Sequence, residues 1–212
     1  MKPPHTTQAM VFAEPDQDEE LQRAEVYGLL SRLWFAPPDE ALLGQFAVAV
    51  TAAPQPGSFL EGPWHDLVAA MRSTRVDQAA EEHAALFIGA GKADVLPYGS
   101  FHIAGTLNDQ PLVVLRTDLT ALGLASAAPE GETEDHVSFV LEVMRYLIAG
   151  DDLAVCNLEQ QRRFFRMHVQ PWVGRSLCDT VEQHPAARVY AELARFTRAF
   201  IEVETQAFDL VE

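Results

Sequence analysis

The densest concentration of reactive side chains lies at Glu130-x-Glu132-x-Glu134-Asp135-His136, where four carboxylates fall within six residues and end on an imidazole. Carboxylates in this number accept guanidinium groups in bidentate fashion, through charge-assisted bonds stronger than neutral ones. The same run also suits a helix start, where the backbone dipole stabilises negative charge. About thirty residues earlier, Leu96-Pro97-Tyr98-Gly99-Ser100-Phe101-His102 sets two aromatics and a histidine on a stretch stiffened by proline and glycine. A stiff, aromatic-bearing loop holds a peptide at low entropic cost. Its structural alternative is a loop whose Tyr98 and Phe101 pack inward.

Other chemistries fit less well. The seven histidines include no pair spaced as HxxxH, the one-turn spacing that aims two imidazoles at one metal from a helix. Glu132 and His136 stand four apart with no second pair to complete a di-metal set. There is no G-x-S-x-G elbow and no phosphate-binding loop. The expectation is a chain without catalytic residues and without a metal or other cofactor of its own. The enzymatic alternative is a metal-dependent helical hydrolase using His136, His102 and nearby carboxylates.

These segments must be positioned by helices. Leu21, Leu29, Leu30 and Leu33 form an apolar stripe that starts after the acidic residues 16–20 and stops at Pro37-Pro38. Asp39 caps a second helix through Leu42, Leu43, Phe46 and Val50, before a loop at Pro54, Pro56 and Gly57. Pro63 starts a third through Leu67 and Met71, and a fourth covers about 77–88. Residues 89–106, with five glycines or prolines, read as the longest irregular stretch inside the chain. Asn108 or Asp109 opens an element through Leu112, Leu115 and Leu119, whose start also reads as a short strand. Thr133 then caps a helix carrying Val137, Val140, Leu141, Met144 and Leu147, with Gly150 as its stop. Helices at about 152–168, 171–184 and 186–208 follow, divided by Pro171 and Pro185. The fold class is therefore all-α and globular, with about nine helices. Residues 1–15 form a flexible tail, and 16–212 a single domain of two helical parts, about 16–125 and 133–208, joined by a loop.

Composition narrows the partners. Of 212 residues, 31 are acidic and 15 basic, for a net charge of −16. Such a chain repels phosphate backbones and anionic lipid, which excludes nucleic acid as a main partner. No apolar run approaches the roughly 18 residues of a membrane helix, so membrane insertion is not expected. The first ten residues lack the apolar core of a secretory signal. The two cysteines, Cys156 and Cys178, form no CxxC and read as free thiols of a reducing, cytoplasmic compartment.

Four short segments, in order, resemble the TorD/DmsD family of redox-enzyme maturation chaperones. Glu82-His83-Ala84-Ala85-Leu86-Phe87-Ile88-Gly89 resembles the family's E-(Y/F)-x-x-L-F-x-G. Pro97-Tyr98-Gly99-Ser100 is similar to its P-(W/Y)-x-S turn, and Glu134-Asp135-His136 to its E-P-x-D-H helix start. His168-Val169-Gln170-Pro171-Trp172 is similar to its H-L-x-P-W joint. The chain departs from the pattern at Ala90, where a proline is common, at Tyr98, where close relatives carry tryptophan, at His102, and at the missing proline before Asp135. The resemblance implies a cytoplasmic chaperone that binds the twin-arginine signal peptide and, as in some relatives, the body of a molybdenum-cofactor oxidoreductase before export. It implies either a monomer or a domain-swapped dimer. Under it, Asp135 with Glu134 and Glu132 accepts the arginines, and His136 either orients Asp135 or is a satisfied structural histidine. Leu86, Phe87, Pro97, Tyr98, Ser100, Phe101 and His102 line an apolar groove for the rest of the peptide. The remaining alternative is a generic acidic adaptor for some other basic amphipathic helix.

Overall fold

A computed structural model describes residues 19–51, 58–89, 93–125 and 131–210. The expected tail at 1–15, the loop residues Pro54, Pro56 and Gly57, and Ala90, Gly91 and Glu130 lie outside the described residues. Ten α-helices account for most of the rest, with no strand among the described residues.

Helix α1 (Glu19–Phe35) ends where Pro37-Pro38 cannot continue it. α2 (Glu40–Ala47) is capped as expected by Asp39, whose carboxylate accepts the Leu42 N–H at 2.8 Å. It stops before Val50, which is 49% exposed rather than part of its apolar face. α3 (Glu61–Arg72) buries Trp64, Leu67, Val68 and Met71. α4 (Val76–His83) runs on as a π-turn, Ala84–Ile88, and Gly89 ends it in the left-handed region at φ 64°.

Two expectations need correction here. The stretch 89–106 is not one irregular loop, because α5 (Gly99–Ala104) occupies its second half. That helix is too short to be legible as a periodic pattern, and its first turn is held by a side chain distant in sequence. α6 (Gln110–Ala121) starts behind Asp109 with Pro111 in its first turn, so Leu112–Leu115 is helical rather than a strand. α7 (Val137–Ala149) is capped by His136 instead of Thr133 and stops at Gly150. Residues 133–136 form a turn, closed by the His136 N–H to the Thr133 carbonyl at 3.0 Å.

The C-terminal elements also begin later than the prolines alone suggest. α8 (Leu158–Phe164) starts at the Asn157 cap and continues as a π-turn, Phe165–Val169. Another π-turn, Val173–Leu177, leads into α9 (Cys178–Glu182). α10 (Val189–Leu210) is the longest helix and buries Leu193, Phe196, Phe200 and Phe208 along one side.

α1 packs along α7, and α10 packs on α3 and α9, so early and late helices share one core. Tyr27, Leu30, Leu33, Trp34, Met144 and Phe196 are all essentially inaccessible. Each such side chain contributes about 1.5–3 kcal/mol on burial. The first and last helices are also cross-linked by polar groups. Buried Glu204 accepts Nε and Nη2 of Arg23, at 2.9 and 2.8 Å, and the Tyr27 hydroxyl at 3.0 Å. Trp34 Nε1 donates to Thr197 Oγ1 at 3.1 Å. Both cysteines are buried and free. No helix among the described residues is long and apolar enough to cross a membrane.

Candidate functional site

The two segments singled out by their chemistry meet in space. Tyr98 and His136 form an isolated antiparallel bridge. The Gly99 N–H donates to the Asp135 carbonyl and the Val137 N–H to the Pro97 carbonyl, both at 2.8 Å. Asp135 strengthens the joint with its side chain. Oδ2 accepts the Ser100 N–H at 2.7 Å and Oδ1 accepts the Thr133 hydroxyl at 2.6 Å. One carboxylate thus fixes both the first turn of α5 and the turn before α7. Asp135 is 3% exposed and Ser100 fully buried.

Successive side chains of an extended segment point to opposite faces, and the bridge accordingly has two sides. On one side the rings of Tyr98 and His136 lie 5.2 Å apart. Phe139, one turn into α7, is 5.6 Å from His136, and Phe35, at the end of α1, is 5.7 Å from Phe139. Phe35 is 43% exposed. The Tyr98 hydroxyl donates to Glu132 Oε2 at 2.5 Å, which sets a carboxylate on the edge of this aromatic face. On the other side of the bridge, Gly99 and Asp135 line a hollow of about 390 Å³ with Ile103, Val114, Met167 and Trp172. Gly99 fits closely there, since a Cβ would stand 3.2 Å from the Trp172 indole, which would have to give by a few tenths of an ångström. Trp172 is held in turn by its Nε1 bond to the His168 carbonyl at 2.7 Å.

The electrostatics follow from burial. Burial holds His136 down at about 4, against the pull of Glu132 and Asp135, so the ring is neutral at pH 7. Its Nδ1 accepts the Ser138 N–H at 3.2 Å, which caps α7 and leaves the proton on Nε2. Burial also lowers His83 and His102. Burial and the Glu132 carboxylate push the Tyr98 phenol up, which keeps it a donor.

The ten expected site residues therefore divide. Tyr98 and His136 border the aromatic face, whereas half-buried Phe87 packs against Trp34, His83 and Tyr190. Phe87 lies 5.1 Å from His83, whose charge would be felt at His136. Leu86, Pro97 and Ser100 are buried and act as scaffold. Glu134 pairs with Arg116 at 2.8 Å. His102 is occupied at both nitrogens, by Ser176 Oγ at 2.8 Å and the Leu96 carbonyl at 2.9 Å, and stacks on Trp172. Phe101 is 38% exposed, beside His102. Of the two roles open to His136, the contacts fit the structural one, because His136 is engaged with Ser138 while Thr133 and Ser100 position the Asp135 carboxylate.

Phe35, Phe139 and His83 were missed as site residues. The signal for Phe139 was its three-residue step from His136, and for Phe35 its place just before a double proline. Among the described residues no group of three or more metal-ligating side chains is assembled. His102 and His136, the two histidines of the hydrolase alternative, are engaged with different partners, Ser176 and Leu96 for the first and Ser138 for the second.

Residues 57–178 match the sequence profile of the nitrate reductase delta subunit family. The fold is similar to the crystal structure of a candidate redox enzyme maturation protein from Archaeoglobus fulgidus. That likeness has a TM-score of 0.55 and 20% identity, and it covers 92% of this chain and 99% of the other. Among curated proteins there is no significant match.

Proposed function

This chain belongs to the nitrate reductase delta subunit family, the redox-enzyme maturation chaperones of TorD/DmsD type, and from that premise we propose that it binds the twin-arginine leader of a molybdenum-cofactor oxidoreductase on its aromatic face. Binding there, in the cytoplasm, would keep the leader from the export machinery until the enzyme is complete. The observation that carries this reading is the bridge, which gathers Tyr98, His136, Phe139, Phe35 and the Glu132 carboxylate at one surface.

The chemistry suits arginine better than lysine. A planar guanidinium stacks on aromatic rings and also takes a carboxylate through two parallel bonds. Glu132 offers the carboxylate at the ring edge. Glu134, which pairs with Arg116 at 2.8 Å, places a second carboxylate on the same turn. Asp135 holds the site in shape in this reading, with its oxygens committed to Ser100 and Thr133. The apolar part of the leader would cover Phe35, Phe139 and Phe87. The net charge of −16 adds long-range attraction for a basic peptide.

The test is titration of a fluorescent client leader against the purified protein, with an Arg-Arg→Lys-Lys leader, Tyr98→Ala and Glu132→Gln as variants. Each change should weaken binding by about tenfold, the scale of one lost aromatic or charge-assisted contact. Added salt should weaken binding of both leaders, since both carry the same positive charge. Equal affinity for both leaders, together with unchanged binding by Tyr98→Ala, would remove the aromatic face as the site. Equal affinity for any basic amphipathic helix would favour the adaptor alternative.

A further inference from the structure

Tyr190 lies in the first turn of α10 and is 1% exposed, yet its hydroxyl is the one fully buried side-chain polar atom among the described residues with no hydrogen-bond partner. Leaving a buried donor unpaired is costly, and a phenylalanine would fill the same space without that cost. Three rings enclose it: Phe87 at 5.2 Å, His83 at 5.7 Å and Trp34 at 6.5 Å between centroids. Trp34 is pinned by Thr197. Phe87 is only half-buried and rides on the π-turn Ala84–Ile88. Such turns recur at functional sites, because the extra residue lets a short segment shift without unwinding the helix. His83 lies near enough to His136 for its charge to act there, and Trp34 directly precedes Phe35 in the chain, so the cluster around Tyr190 adjoins the aromatic face.

We infer that Phe87 is a movable cover over Tyr190, and that a backbone carbonyl of the bound leader accepts the Tyr190 hydroxyl once Phe87 swings aside. This rests on the leader-binding reading and deepens it. The acceptor is a carbonyl rather than a carboxylate because the negative charge of Glu82 already acts on the phenol. Its carboxylate accepts the N–H groups of Arg188, Val189 and Tyr190 at 2.7, 3.2 and 2.8 Å, and a second anion would be repelled. The carbonyl belongs to an extended stretch of the leader, since carbonyls inside a helix are already engaged. Burial and Glu82 raise the phenol, which stays protonated and able to donate.

Tyr190→Phe separates this role from a structural one. The leader titration is run with wild type, Tyr98→Ala and Tyr190→Phe, and the melting temperature of each is recorded. Tyr190→Phe should bind about three- to tenfold more weakly, the loss of one neutral hydrogen bond, while melting at or above the wild-type temperature. If Tyr98→Ala weakens binding and Tyr190→Phe does not, the inference fails and the leader site stands. If wild type binds no leader, both fall together. A lowered melting temperature for Tyr190→Phe would mean that the hydroxyl has a partner in the folded protein, and that too overturns the inference.

Discussion

Asp135 offers the sharpest test of how the site is built. Two substitutions separate its duties. Asp135→Ala removes the acceptor of the Ser100 N–H and of the Thr133 hydroxyl. Ser100 is fully buried, so its N–H is left without water, and each charge-assisted bond of this kind is worth about 1.5–3 kcal/mol. Thr133 is half-buried and recovers part of its loss by hydration, which sets the total at about 3–4 kcal/mol. Asp135→Asn behaves differently. Its carbonyl still receives the Ser100 N–H, and the Thr133 hydroxyl rotates to accept from the new amide. Only the charge assistance goes, at about 1–2 kcal/mol. At about 2–4 °C per kcal/mol for a chain of this size, the alanine variant should melt roughly 6–16 °C lower than wild type. Urea unfolding with an unchanged m-value gives the free energies. The asparagine variant should also keep leader affinity within about threefold, the scale of a lost neutral bond, because the clasp survives. Equal losses of stability for the two variants, or a deficit under about 1 kcal/mol for alanine, would refute the clasp. A tenfold loss of affinity in a well-folded asparagine variant would return Asp135 to the role of arginine acceptor.

Glu82→Ala strips α10 of a carboxylate that meets three of its N-terminal N–H groups, and should cost about 2–4 kcal/mol in the same urea experiment. Glu82→Gln, which keeps one acceptor oxygen, should lose about half as much. His136 predicts a pH dependence. Its folded value of about 4 lies below the usual value of 6.5, so the unfolded chain takes up a proton first and stability falls as pH drops through that window. The full loss is about 3 kcal/mol, none of it felt above pH 7, and His136→Gln should flatten the curve between pH 6.5 and 4. A variant whose stability falls as steeply as wild type over that range would show that other groups carry the acid sensitivity.

The helices with long apolar stripes were legible because periodicity is a local property. α1, α7 and α10 could be read from Leu29, Leu30, Leu33, Val137, Val140, Met144, Phe196 and Phe200 without reference to anything else in the chain. Caps were legible where they are local too, as at Asp39 and Asp109. What stayed hidden is set by contacts distant in sequence. α5 has six residues, fewer than two turns, and its start depends on a carboxylate 35 positions away. The same contact explains the misplaced start of α7. Asp135 looks like part of that helix's acidic first turn, but its side chain serves α5 instead, and capping passes to His136 through an imidazole nitrogen.

The functional residues divide along the same line. Each of the four segments that carry the family resemblance contributes a side chain or a gap to another segment. Glu82 holds the start of α10, Asp135 holds α5, and Gly99 makes room for Trp172. A residue type fixed in this way cannot be told, in the sequence, from one fixed by a ligand, because both need the same carboxylate, glycine or aromatic at the same place. The structure separates them by asking which polar atoms already have partners. By that criterion Asp135, Glu82 and His102 are saturated, whereas Glu132 stands at a half-exposed edge and Tyr190 has a donor to spare. The surface proposed to bind the leader is consequently smaller than the motifs suggest, and it lies on the Tyr98 side of the bridge.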